Sequence, residues 1–264
     1  VGDNKSGASP CSDELYEQRK RMFQASSYPF IFVPGDNEWT DCHRKSAGSY
    51  DPLERLAKLR QVFYAGEMSL GQNTLKLARQ SDYPGPDARI REYRENARWV
   101  VDGVLFMGLN VPGSNNNFGR TPQMNAEHEE RGEANAEWLR QGFELARKNS
   151  YAAVFVFIQA NPDFDLPFLR RVNRADGYAA LKQELLAHTL AFGKPVVLVH
   201  GDTHHFRIDQ PLFDPATLKR VEQFTRIESF GSPFVDWIKV TIDPDHPKLF
   251  FLRTGRPANF SQTF

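Results

Sequence analysis

The chain has 264 residues, 40% of them hydrophobic and 25% charged, and its 33 basic side chains balance its 33 acidic ones. That balance gives no electrostatic reason to expect nucleic acid or an anionic membrane as partner, and no apolar run is long enough to span a bilayer. No repeat at solenoid or propeller spacing is visible. The 21 phenylalanines favour one sizeable aromatic core, so residues 1–264 are expected to form a single domain.

In chain order, Gly2-Asp3 reads as a loop at the carboxyl end of a strand of which only Val1 is present. Residues 13–25 read as a helix following Ser12, a good N-cap. Residues 29–33 (Pro-Phe-Ile-Phe-Val) read as a buried strand ending at Pro34-Gly35. Asp51-Pro52 opens a helix through Val62, with proline in the tolerated first turn. Two strand pieces within 100–111 are broken at Asp102-Gly103, a hairpin signal. Pro- and Gly-rich residues 83–86 and 112–122 read as loops. A long helix over 125–148 carries the apolar stripe Ala134, Trp138, Leu139, Phe143 and Ala146. Residues 152–158 and 195–200 are continuous apolar runs, the pattern of strands covered on both faces. A helix over 175–192 lies between them and stops at Gly193. Residues 234–242 and 248–253 flank the Asp-Pro-rich segment 243–247 and read as a closing hairpin. Strands joined by helices and closed by hairpins predict an α/β fold with a mixed sheet.

Ligands of open α/β sheets bind outside the carboxyl ends of the strands. Three such ends carry a side chain with chemistry directly after a glycine: Gly2-Asp3, Gly35-Asp36 and Gly201-Asp202-Thr203-His204-His205. A fourth, ending at Ile158, runs into Gln159-Ala160-Asn161-Pro162. A lone Gly-Asp after a strand is usually a turn; three of them, with a histidine two residues after the last, point to a shared site. Hard oxygen donors with an imidazole suit divalent ions such as Mn, Fe or Zn. His43, His128, His188 and His246 sit in charged or helical context and read as surface or packing residues. His200 reads either as a core histidine or as a site residue. The two cysteines, Cys11 and Cys42, each follow a Gly-Asp loop. They read either as a disulfide, which would imply an oxidising compartment such as the periplasm, or as two free thiols of a cytoplasmic protein.

The order Gly-Asp, then Gly35-Asp36-Asn37-Glu38-Trp39, then a strand with a Pro-containing loop, then Gly201-Asp202-Thr203-His204, resembles the metallophosphoesterases, the calcineurin-like and purple acid phosphatases among them. The resemblance implies a four-layer αββα sandwich of two mixed sheets with a two-metal site at the strand ends. It implies Asp3 as the first aspartate ligand, Asp36 as the bridging one and His204 as the second histidine of Gly-His-x-His. Lys5 stands where the family often has a histidine, Asp202 replaces the first histidine of Gly-His-x-His, and Gln159 replaces the histidine after the middle strand. The Gly-Asn-His motif has no counterpart. Glu67, Asn115 and Asn116 are the available stand-ins; a second position built from Asp36, Asp202, Gln159 and these residues either favours a harder ion such as Mg, Ca or Mn or is empty.

The activity implied is hydrolysis of a small phosphate mono- or diester by hydroxide activated on the metals. Lys5 would clamp phosphate, Asn116 would stand near the reacting group, and His205 or His200 would be the general acid. The alternative is a domain that keeps the fold as a binding protein without catalysis.

Overall fold

The computed structural model describes residues 1–83, 92–164, 175–234, 236–243, 246 and 249–255. Of the expectations above, those falling on residues 84–86, 235, 244–245 and 247–248 lie outside the described residues. The architecture is mixed α/β, as expected. Seven strands form one sheet in the order β1-β2-β3-β4-β5-β9-β6. They are β1 (Ala78–Arg79), β2 (Ala97–Val101), β3 (Val104–Gly108), β4 (Ala153–Phe157), β5 (Val196–His200), β6 (Arg207–Asp209) and β9 (Phe224–Glu228). The β3, β4, β5 and β9 neighbours run parallel, and the outer pairs are antiparallel. Two-stranded ribbons join β7 (Phe213–Asp214) to β8 (Lys219–Arg220), and β10 (Trp237–Ile242) to β11 (Phe250–Gly255).

The alternation of side chains along a strand explains the layers. Leu105, Met107, Val154, Val156, Val196 and Leu198 face one way. They pack on two helices, α3 (Pro122–Lys148) and α4 (Ala179–Phe192), through Trp138, Leu139, Phe143, Leu181 and Leu185. The intervening residues Val104, Phe106, Phe155, Phe157 and Val197 face the other way, against Ile238, Val240, Phe250 and Leu252 of the β10–β11 hairpin. The result is a sandwich of helices, main sheet and hairpin. None of the described helices is long and apolar enough to cross a membrane.

A second core holds the amino-terminal part. Helices α1 (Asp13–Gln24) and α2 (Pro52–Phe63) bury Tyr16, Phe23, Leu59 and Phe63 against Phe32 and Trp39. Both begin where the sequence indicates: Ser12 accepts from the Leu15 amide, and Asp51 accepts from the amides of Leu53 and Glu54. Residues 29–33 do not form a strand. Phe30 makes one isolated bridge with Leu70, and the Val33 carbonyl accepts the Gly2 amide, so among the described residues the run lies along the core without a ladder. Helix α4 starts at Ala179 rather than 175, because the Asp176 carboxylate accepts the Tyr178 amide at 2.9 Å and holds that segment as a turn.

Cys11 and Cys42 are joined by a disulfide with Cα atoms 5.8 Å apart. It ties the loop before α1 to the loop after Asp36, across a sequence separation of 31. Cross-linking a loop of that length stabilises the fold by about 4 kcal/mol through the unfolded chain. The Cys11→Ala/Cys42→Ala double variant is accordingly expected to lose about that much in urea unfolding. A midpoint unchanged from wild type would show that the bond contributes nothing.

Candidate functional site

Three carboxylates meet at the carboxyl ends of the strands. Asp3, Asp36 and Asp202 each place an oxygen within 4.8 Å of the other two. They arrive from separate loops, and unusual backbone brings them in: φ is +52° at Asp3, +78° at Asp202 and +63° at His204. Left-handed conformations cost a non-glycine residue roughly 1–3 kcal/mol and persist where the surroundings enforce them.

Gln159, the residue after the middle strand, sits at the centre. Its Oε1 accepts the amides of Gly113 (2.5 Å) and Asp36 (3.3 Å), which fixes the side chain's orientation. Its Nε2 therefore faces the acids and lies 3.2 Å from an oxygen of each of Asp3, Asp36 and Asp202. An amide nitrogen carries two protons and cannot serve three acceptors. Asp3 Oδ1 is buried with no hydrogen-bond partner.

Glu38 braces this arrangement and is fully buried. One of its oxygens accepts the Asn4 amide at 2.8 Å; the other accepts the amides of Asp3 (2.9 Å) and Gly35 (2.8 Å). A single carboxylate thus ties the first Gly-Asp loop to the second. Glu38→Gln would set an NH2 group against one of these N–H donors, at a cost of about 2 kcal/mol. Urea unfolding should show that loss with an unchanged m-value; a wild-type midpoint would mean that the brace carries no load.

A second support lies behind Asp36. Residues Gly113–Asn116 wind as one left-handed turn, with φ between +53° and +63° at Ser114, Asn115, Asn116 and Asn117. Asparagine tolerates this region better than most residues. The turn delivers Ser114 Oγ to within 3.0 Å of Asp36 Oδ2 and 2.9 Å of Asp41 Oδ1. Asp41 is anchored by Arg44 at 2.7 Å and Arg120 at 2.6 Å. Only glycine fits at 113, because a Cβ there would stand 2.6 Å from Asp202 Oδ1 and 2.7 Å from Asp36 Oδ2.

Burial and mutual repulsion act on these acids together. Burial first, then Glu38, Asp36 and Asp202, push the Asp3 carboxyl up to about 8. Burial and then Asp36 push Asp202 up to about 6. Asp36 is raised by burial and by Asp41, and Glu38 by burial. The Lys5 ammonium is buried, donates to the carbonyls of Ser9 (2.9 Å) and Ser6 (3.1 Å), and is lowered by that burial. Clustered carboxylates destabilised as anions are relieved by a proton or a nearby positive charge.

A cavity of about 540 Å³ opens beside the acids, lined by Asp3, Asp202, Lys5 and His204 among others. His204 is exposed, and its Nδ1 lies 2.8 Å from the Ser232 carbonyl. That carbonyl requires a proton on Nδ1, which leaves Nε2 as the ligating or accepting nitrogen. His204 lines the cleft but is not part of the converging triad.

Several expected site residues lie elsewhere. Glu67 is exposed and pairs with Lys76 at 3.1 Å. His200 shares the helix-facing side of β5 with Val196 and Leu198; it is fully buried, with its carboxyl-side neighbour Gly201 accepting at Nδ1. Burial holds it near 4, so it is a neutral core histidine. His205 is exposed and does not line the cleft. Asn115 bonds to Phe118, Ala175 and Gly177, and Asn116 to Arg131 and Gly177, so both hold the left-handed turn together. The sequence reading missed the roles of Glu38, Asp41 and Ser114. The three-asparagine run was the available signal for the turn, since it marks left-handed backbone.

Comparison with protein-family models, with curated proteins and with solved structures finds no match for this chain. The site therefore rests on its own geometry.

Proposed function

We propose that the chain is a metal-dependent phosphoesterase acting on a small phosphate ester bound in the cleft beside Asp3 and Asp202. The observation that carries the reading is the triad itself: one buried and two half-buried carboxylates around one neutral amide, with an orphaned oxygen on Asp3. This donor set fits one divalent ion, and its oxygen-rich character favours Mg, Ca or Mn over softer ions. When bound, such an ion supplies a water of low pKa and offsets charge on the phosphoryl oxygens. The protein's own contributions follow from placement. Asp3, Asp36 and Asp202 hold the ion, Gln159 and Ser114 fix the carboxylates, and Lys5 directs a positive charge at a phosphate oxygen. Of His200, His204 and His205, only His204 lines the cleft; with Nδ1–H held by the Ser232 carbonyl, it would serve the leaving alkoxide only in its imidazolium form, from Nε2.

A second reading, a binding protein without catalysis, is favoured by one observation. Glu67 and Asn115, expected as donors for a second ion, are engaged elsewhere. Hydrolysis of an aryl phosphate monoester and diester with Mn²⁺ or Mg²⁺ separates the two. Turnover that is abolished by chelator supports the hydrolase; metal binding without turnover leaves the binding protein. The disulfide is compatible with an oxidising compartment, and we extend the proposal to a periplasmic or secreted location.

A further inference from the structure

The substrate-side wall of the cleft carries a cation that the metal reading does not use. Arg19 lies three residues after buried Tyr16 and four before buried Phe23, so helix α1 turns it inward. It is half-buried and lines the same cavity as Asp3, Lys5, Asp202 and His204. Neighbouring arginines are committed to acids: Arg44 and Arg120 to Asp41, Arg55 to Asp13, and Arg60 to Glu95. Arg19 has no carboxylate partner among the described residues, and its Nε is buried without an acceptor. Beside it in the wall, the Asn4 side-chain amide is buried with both ends unpartnered. A guanidinium left this way is waiting for an acceptor from outside the chain.

The number of acceptor oxygens identifies that ligand. Two protons of Lys5 are taken by the carbonyls of Ser6 and Ser9, and the third remains for the cleft. The cleft thus offers three separate positions for phosphoryl oxygen: the cation at the triad, Lys5 and Arg19. A phosphate monoester has three non-bridging oxygens and fills all three. A diester has two, and leaves one of the three positions without an oxygen.

We propose that Arg19 is a specificity residue that selects phosphomonoester dianions over diesters. The proposal rests on the phosphoesterase reading for its reaction, but its anion-binding part stands by itself. The test compares wild type, Arg19→Gln and Arg19→Lys in two ways. One is calorimetric titration with inorganic phosphate in the presence of Mg²⁺; the other is kcat/KM for an aryl phosphate monoester and its diester. Arg19→Gln is expected to weaken phosphate binding and monoester kcat/KM by about 30-fold, the scale of a hydrogen bond between charged groups. Diester turnover should change less than about threefold, and Arg19→Lys should recover part of the loss by restoring the charge. Equal losses on both esters, or phosphate binding unaltered by Arg19→Gln, would overturn the assignment while leaving the hydrolase standing. Phosphate binding that depends on Arg19 in a protein with no turnover would sustain the anion site and end the hydrolase reading. Wild type that neither binds phosphate nor turns over either ester would end both.

Discussion

Asp36→Asn is expected to lower metal-dependent ester hydrolysis by about 1,000-fold, the scale of removing a fixed electrostatic group from a dry active site. Asp36 is the middle member of the triad, since its charge bears on both Asp3 and Asp202. It is also the member held from behind, by Ser114 and through it by Asp41. Asparagine keeps the shape and removes the charge. The same change should stabilise the metal-free protein at pH 8, because three crowded carboxylates become two. That opposite sign separates a functional loss from misfolding. Lower activity accompanied by a lower metal-free Tm would count against the argument, and so would activity within about tenfold of wild type.

The second large effect is on stability against pH in chelated protein. Asp3 and Asp202 have folded-state values raised to about 8 and about 6, against an ordinary 3.8. An acid with a raised folded value favours folding while protonated. Its contribution is complete below about pH 4 and is lost as pH climbs through 6 for Asp202 and 8 for Asp3. Two units on Asp202 alone correspond to about 3 kcal/mol, and Asp3 adds to this. For a chain of this size the metal-free Tm should fall by roughly 10 °C between pH 5 and pH 8. Saturating Mn²⁺ should return most of that at pH 8 and little at pH 5, where protons compete for the carboxylates. Thermal scans across that range with and without the ion measure it. A flat metal-free profile would show that the triad is not under electrostatic load.

These effects depend on residues that the sequence exposed unequally. The central strands were readable because Val104 to Met107, Ala153 to Phe157 and Val196 to Val199 are apolar on both faces, and the Asp102-Gly103 turn announced its hairpin. Strand β9 was not readable. Its Arg226 and Glu228 pair with Asp209 and Arg207, and those polar side chains hide a buried strand of the main sheet. The three aspartates and Gln159 could be found because glycines and strand ends mark them. Glu38 stood in the same quoted motif but carried no sign that it would bind backbone amides rather than a ligand. Glu67, Asn115 and Asn116 were chosen by position along the chain, and the fold spends them on surface pairing and on the left-handed turn. Ser114 and Asp41 are 73 residues apart, a separation at which no local pattern reports contact.

Calorimetric titration of Mn²⁺ into chelator-stripped wild type and Asp36→Asn at pH 7.5 tests the central claim most directly. The triad predicts one saturable ion per wild-type chain and binding at least about 100-fold weaker in the variant. No saturable binding to wild type, or equal binding by both proteins, would contradict a cation site built on Asp3, Asp36 and Asp202.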